Sequence, residues 1–330
     1  MVRIFLIFIF IFYTTTLLSA KTVVDMYGRS VSIPPKVEHV VSAGGTPAVN
    51  AFLLALDSKE MISNGLPGSI NGKNWSNQLW FDPSLADKPV VSSGGPDWNV
   101  NEEVLSSIPH DVVFVVNPMS AERLSKKGFS TVALNWENPD SVKNTMTLLG
   151  SIIGKEKNAK NYNFYFDQMI HAVSKKVGTS KEKPKALYMR YTNLSVPMVS
   201  TATWMIENAG GINVAKGIKD HGQIDIERLL VWNPDYLFVW NSKEVEAVYA
   251  DSRLSTLSAV KNKKIYVVPM GAHVWTHYTP EMPLAVVWAA GIFYPEKFKD
   301  MKITDVMSDF YLRFYGTNLS EEQKRKILNP

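Results

Sequence analysis

Short apolar β-type runs alternate with helix-period segments along almost the whole chain, and that alternation restricts it to a mostly parallel α/β fold. Val37–Ser42 reads as a strand, followed by a Gly44-Gly45 turn and a helix over Pro47–Leu56. Helix Glu102–Ile108, strand Asp111–Val116, helix Ala121–Lys127 and strand Thr131–Leu134 continue the pattern. Strand Ala186–Arg190, helices Thr203–Ala209 and Ile226–Trp232, and strands Asp235–Trp240 and Lys264–Val268 repeat it further on. Three helices close the chain, near 280–293, 303–315 and 320–328. Residues 63–98 break the alternation: rich in Asn, Gly, Pro and Trp, they read as long loops.

One segment is built differently. Between Pro139 and Gly178 there is no proline, and Gly150 and Gly154 are the only glycines. Val142, Met146, Leu149, Ile152 and Ile153 recur at helical spacing, and a second run passes through Phe164, Met169 and Val173. The spacing predicts two helices, the second of them a long connector over 156–178. The expected organisation is a first α/β lobe over 21–155, this linking helix, and a second α/β lobe over 179–330.

The N-terminus stands apart. Arg3 precedes an unbroken apolar run, Ile4 to Tyr13, and Thr14 to Ala20 then shifts to smaller residues. That is the layout of a secretory signal over residues 1–20, cut after Ala20. The apolar run is too short for a membrane span, which needs roughly 20 such residues. The chain holds no cysteine, so an exported fold must be stable without disulfides, and no cysteine can carry a lipid anchor. The periplasm of a double-membraned bacterium is the expected compartment. A formal charge of +4 with scattered Lys and Arg gives no nucleic-acid footprint.

Two stretches match each other. Asn101, Glu103 and Asp111 stand at the same spacing as Asp225, Glu227 and Asp235: a helix cap, a glutamate two positions on, and an aspartate eight beyond that, opening a strand. Similar units in each half suggest two lobes of similar build. The run from Glu227 to Asp235 (Glu-x-Leu-Leu-x-Trp-Asn-Pro-Asp) resembles the class III periplasmic substrate-binding proteins of ABC importers, which carry ferric siderophores, haem and cobalamin. So do Val37–Ser42 with its turn and helix, the Glu207–Ala215 stretch, and the tail from Phe310-Tyr311 to Gly316. The likeness covers roughly residues 22–328. It departs at Ile108-Pro109-His110-Asp111, where the family has a Pro-Asp pair, and in the Trp-rich insertion. The resemblance implies two α/β lobes joined by one long helix. It also implies that Glu103 and Glu227 meet arginines of a permease, a role suited to charge-assisted bidentate pairing. Alone, either glutamate would simply complement a helix dipole.

Ligands of open α/β sheets bind at the carboxyl ends of the strands. In the first lobe the loops there are Ala43–Pro47, Asn117–Ser120 and Asn135–Glu137, beside the segment bearing Trp75, Trp80 and Trp98. In the second they are Arg190–Tyr191, Trp240–Lys243 and Met270–Thr279. Loop aromatics such as Trp75, Trp98, Tyr191, Trp240 and Trp275 suit a ringed ligand, although others of the nine tryptophans will cap the core. His273 and His277 could ligate a metal, Tyr278 could supply a phenolate, and Arg190 could meet a ligand carboxylate. Two histidines alone fall short of a metal site, which needs three or four ligands.

No Gly-x-Ser-x-Gly elbow, P-loop or Gly-x-Gly-x-x-Gly fingerprint is present. The expectation is a monomeric binding protein without a permanent cofactor, delivering a metal chelate to an ABC permease. The chelate is expected to be of iron–siderophore type, with a nickel chelate, haem and cobalamin as competitors. The alternative is an exported hydrolase, which would require Ser42 or Ser200 beside a histidine.

Overall fold

The computed structural model describes residues 20–68, 75–92, 99–179 and 182–330. Residues 1–19 of the expected signal and Trp98 lie outside these. The described chain opens with an antiparallel hairpin, β1 (Lys21–Val24) and β2 (Ser30–Ile33). Next come β3 (Val40–Ser42), α1 (Thr46–Ala55), α2 (Glu102–Ser107), β4 (Val112–Val115), α3 (Pro118–Lys126), β5 (Thr131–Ala133) and α4 (Pro139–Ile153). Their strands form a parallel sheet in the order β3-β4-β5. The long helix α5 (Glu156–Val177) follows.

Beyond it lie β6 (Lys185–Tyr188), β7 (Ser195–Val196), α6 (Val199–Asn208), β8 (Ile212–Asn213) and β9 (Gly222–Gln223). Then come α7 (Ile226–Trp232), β10 (Tyr236–Val239), α8 (Ser242–Ala250), α9 (Ser258–Lys261) and β11 (Ile265–Val267). A second parallel sheet runs β11-β10-β6-β8, while β7 and β9 pair separately as a short antiparallel ribbon. The chain ends in α10 (Met282–Phe293), α11 (Ile303–Tyr315) and α12 (Glu321–Leu328). The fold is the expected α/β type with two parallel sheets.

Central strands β4 (Val-Val-Phe-Val) and β10 (Tyr-Leu-Phe-Val) are buried at every position, as parallel strands covered on both faces must be. Alternate residues of each strand serve different cores. Val113 and Val115 pack in a cluster confined to the first sheet, Leu237 and Val239 in one confined to the second. Phe114 and Phe238 instead join one large cluster common to both halves, with Tyr162 and Phe166 of α5 and Phe310 and Phe314 of α11. Helix α5 packs on α4 and α10, and the Tyr162 hydroxyl donates to the Pro280 carbonyl at 3.0 Å.

The matched stretches do the same work in both halves. Asn101 caps α2 and Asp225 caps α7. Asp111 accepts the backbone N–H groups of Glu38 and His39, just before β3, and Asp235 accepts that of Lys185, which opens β6. Each aspartate thus pins its strand to a neighbouring one.

Two expectations need correction, and one element was not foreseen. Trp240–Lys243 is not an open loop: Asn241 caps α8 there, accepting the Glu244 N–H at 3.0 Å. The hairpin β1–β2 has strands too short to stand out by alternation. Within 63–98, the residues Trp75–Trp80 and Pro83–Ala86 form 3-10 turns. Among the described residues, no helix is long and apolar enough to cross a membrane.

Candidate functional site

A cleft of ≈ 420 Å³ lies between the halves. One wall is made where the chain leaves the carboxyl ends of β3, β4 and β5: Gly45 and Ala48, Val116, and Leu134 to Glu137, with Tyr27 from the hairpin turn. The other wall is Met198, Ser200 and Asp220 together with His273 and the His277–Thr279 stretch.

Local sequence explains the first wall. Gly45 caps α1 at φ 66°, in the left-handed region that glycine tolerates best. A Cβ there would also come within 2.8 Å of Val116 Cγ1, so the two loops meet closely only because the side chain is missing. On the opposite wall α6 starts at Met198, itself in the left-handed region, without a capping side chain of its own. Asp220 supplies the cap, accepting the Ser200 N–H at 3.1 Å and its hydroxyl at 3.2 Å.

His273 sits on a loop after β11 that is anchored from behind. The fully buried Glu281 accepts the N–H groups of Ala272 (2.8 Å) and His273 (2.7 Å) and the Tyr311 hydroxyl (2.5 Å). Burial pushes the Glu281 carboxyl up to about 7. The Trp75 ring stacks on the His273 imidazole at 4.8 Å, and the two histidine rings are 5.0 Å apart. Burial, then the neighbouring His277, hold His273 well below the usual imidazole range, so it is neutral near pH 7. Its Nδ1 is buried and, among the described residues, has no hydrogen-bond partner. Two carboxylates, Glu137 and Asp220, stand exposed at the rim, and among the described residues no Lys or Arg lines the cleft. Burial, then the charges of Glu137 and Asp25, push the Tyr27 phenol up.

His273, His277 and Tyr278 are thus brought together as expected, with Trp75 stacked behind them. Trp240 approaches the group, its ring 6.3 Å from His277. Arg190 lies over Trp240 at 4.7 Å, but its Nε donates to the buried Glu244 at 3.2 Å, so its charge is already matched. Tyr191 points elsewhere, donating to Asp251 at 2.5 Å. Trp275 is a correction: it is wholly buried, its indole N–H donates to Tyr311 at 3.3 Å, and it packs in the core instead of lining the cleft. Trp136 lies in the expected loop Asn135–Glu137, and Ser200, named only for the hydrolase alternative, also lines the cleft; Tyr27 and Asp220 were missed, because they come from elements far apart in sequence with no motif to group them.

Among the described residues no three His, Cys, Asp or Glu side chains converge to hold a metal ion. The serines of the hydrolase alternative are otherwise engaged, Ser42 donating to Asn50 at 2.7 Å and Ser200 to Asp220. Glu103 and Glu227 are exposed in the first turns of α2 and α7. The neighbouring Glu102 is taken by Arg123 at 2.8 Å and by Lys127, whereas neither Glu103 nor Glu227 has an ion-pair partner among the described residues.

A family model described as a periplasmic binding protein matches residues 65–271. A periplasmic solute-binding protein from Veillonella parvula has a similar structure, with a TM-score of 0.82 at 26% identity, covering 94% of this chain and 97% of that one. The molybdate-binding protein MolA of Haemophilus influenzae is 26% identical over 91% of this chain and 92% of its own. The iron(3+)-hydroxamate-binding protein YxeB of Bacillus subtilis is 23% identical over 63% of this chain and 69% of its own.

Proposed function

Because the chain belongs to the periplasmic binding protein family, a solute-binding protein of an ABC transporter and not an enzyme, we propose that its cargo is a compact metal chelate held in the cleft by His273 and His277. The observation that carries this is the pair of imidazoles lining the cleft, their ring centroids 5.0 Å apart and one of them neutral. A neutral imidazole is a metal donor. Two imidazoles, with no cluster of three His, Cys, Asp or Glu among the described residues, suit a metal that arrives with ligands of its own. The volume, near the low end of the roughly 300–1,000 Å³ usual for such sites, favours a compact chelate, of nickel or iron, over haem or cobalamin.

Molybdate is the second reading, favoured by the 26% identity with MolA over nearly the whole chain. Against it stand the two rim carboxylates, with no lining Lys or Arg among the described residues to offset them, a charge balance that disfavours a dianion. Tryptophan fluorescence separates the two: nickel(II)–histidine and a compact ferric hydroxamate should quench the signal, and His273→Ala with His277→Ala should abolish the quenching. A response to molybdate alone would overturn the chelate.

Delivery completes the reading. Glu103 and Glu227 dock on the permease, residues 1–20 direct export, and the mature chain works as an unanchored monomer. Its two lobes are 21–155 and 179–330, with 156–178 linking them.

A further inference from the structure

We infer that Gln78 and Glu281 are positioning residues for ligand capture, gripping the backbone at Ala272–His273 from two sides so that His273 is held in one orientation at the cleft wall. The inference rests on His273 meeting the ligand, as proposed above.

Gln78 is a completely buried amide with every strong hydrogen-bonding group in use. Its Nε2 donates to the Ala272 carbonyl at 2.9 Å and to the Pro47 carbonyl at 2.7 Å, and its Oε1 accepts from Asn50 at 3.2 Å. Pro47 lies in the first turn of α1, between the cleft residues Gly45 and Ala48. One side chain therefore ties the wall built by the first half to the histidine loop of the second. From the other side Glu281 takes the N–H groups of Ala272 and His273. Three successive backbone groups, the Ala272 N–H, the Ala272 C=O and the His273 N–H, are thus each held by a buried side chain. The turn that carries Gln78 also carries Trp75, whose ring covers one face of the imidazole. Nearby Asn77 adds a bond to the Met270 carbonyl at 2.9 Å.

With backbone and ring face fixed, the imidazole keeps a set orientation although its Nδ1 lacks a partner. Groups that orient a metal-binding histidine affect affinity almost as strongly as the histidine itself, by about 10- to 100-fold.

The test uses Gln78→Met, which keeps length but removes the donor, and Glu281→Gln. The readouts are the His273 imidazole resonances in ¹⁵N-histidine NMR, assigned by their loss in His273→Gln, and affinity for nickel(II)–histidine. In both variants the resonances should shift or broaden, and affinity should fall about 10- to 100-fold. A core variant remote from the loop, Phe166→Leu, should lower the melting temperature while leaving both readouts unchanged. If either variant does not fold, the wild type still decides: a through-hydrogen-bond coupling from the Gln78 side-chain amide to the Ala272 carbonyl carbon is expected, and its absence overturns the grip. Wild-type resonances and affinity in both variants would also overturn it. Should His273→Ala leave nickel(II)–histidine affinity intact, the ligand reading fails instead, and the resonances still judge the grip.

Discussion

A Cβ built on Gly271 would lie 1.8 Å from the Tyr311 hydroxyl and 2.3 Å from Glu281 Oε1. Both atoms are buried and bonded to each other, so neither can move aside cheaply. Gly271→Ala should cost about 1–3 kcal/mol, the usual penalty of overpacking, read by denaturant unfolding. Glu281 itself gives a pH signature. Its ordinary value of 4.5 is raised by burial to about 7, so between those values the folded chain binds more protons than the unfolded one. Stability must therefore fall as pH rises through that window, by an amount on the order of 3 kcal/mol. Glu281→Gln should lack this decline, and parallel curves for wild type and variant between pH 5 and pH 8 would disprove it. None of this was legible in the sequence, where Gly271 and Glu281 are unremarkable. His273, His277 and Tyr278 were legible because they share one loop, whereas Ser200, Asp220 and Gln78 reach the site only through tertiary contact. Trp275 misled because a loop position says nothing of which way an indole turns.

Elements were readable where several local signals coincide. Helix α7 falls on its expected residues, with Asp225 as cap, apolar residues at helical spacing, and Asn233 in the left-handed region before Pro234. Strands β4 and β10 announce themselves as continuous apolar runs. Helix α3 begins earlier than expected because Pro118 sits in its first turn behind the Asn117 cap. Helix α8 was missed because Ser-Lys-Glu-Val-Glu looks like solvated surface, although Glu244 within it is fully buried against Arg190 and the Trp240 N–H. The long helix α5 was plain from its lack of Pro and Gly, yet what it holds was not. Its Tyr162 hydroxyl bonds the Pro280 carbonyl, next to Glu281. Tyr162→Phe leaves that carbonyl unpaired in the core and should cost about 1–3 kcal/mol, measured as a lower denaturation midpoint with an unchanged slope.

At the scale of the molecule, the two similar halves could be foreseen from the matched stretches around Glu103 and Glu227, but the core they share could not. One apolar cluster runs from Phe114 of the first sheet through Tyr162 of α5 to Phe238 of the second, and Gln78 adds hydrogen bonds to the Pro47 carbonyl in the first half and the Ala272 carbonyl in the second. Packed interiors transmit strain and do not deform smoothly, so the two halves should keep nearly one spacing whether or not the cleft is filled. A fixed spacing suits recognition by a two-point partner, because on the proposed docking the two exposed carboxylates would meet a permease at a set separation. Reversing both, Glu103→Lys with Glu227→Lys, would on that proposal replace two attractive contacts by two repulsive ones, whereas neither residue lines the cleft. Transport by cells carrying the double variant should be lost and that of each single variant reduced, while the purified variants bind nickel(II)–histidine as the wild type does. Weaker ligand binding in the double variant would place these glutamates in the ligand site, and undiminished transport would remove them from the docking surface.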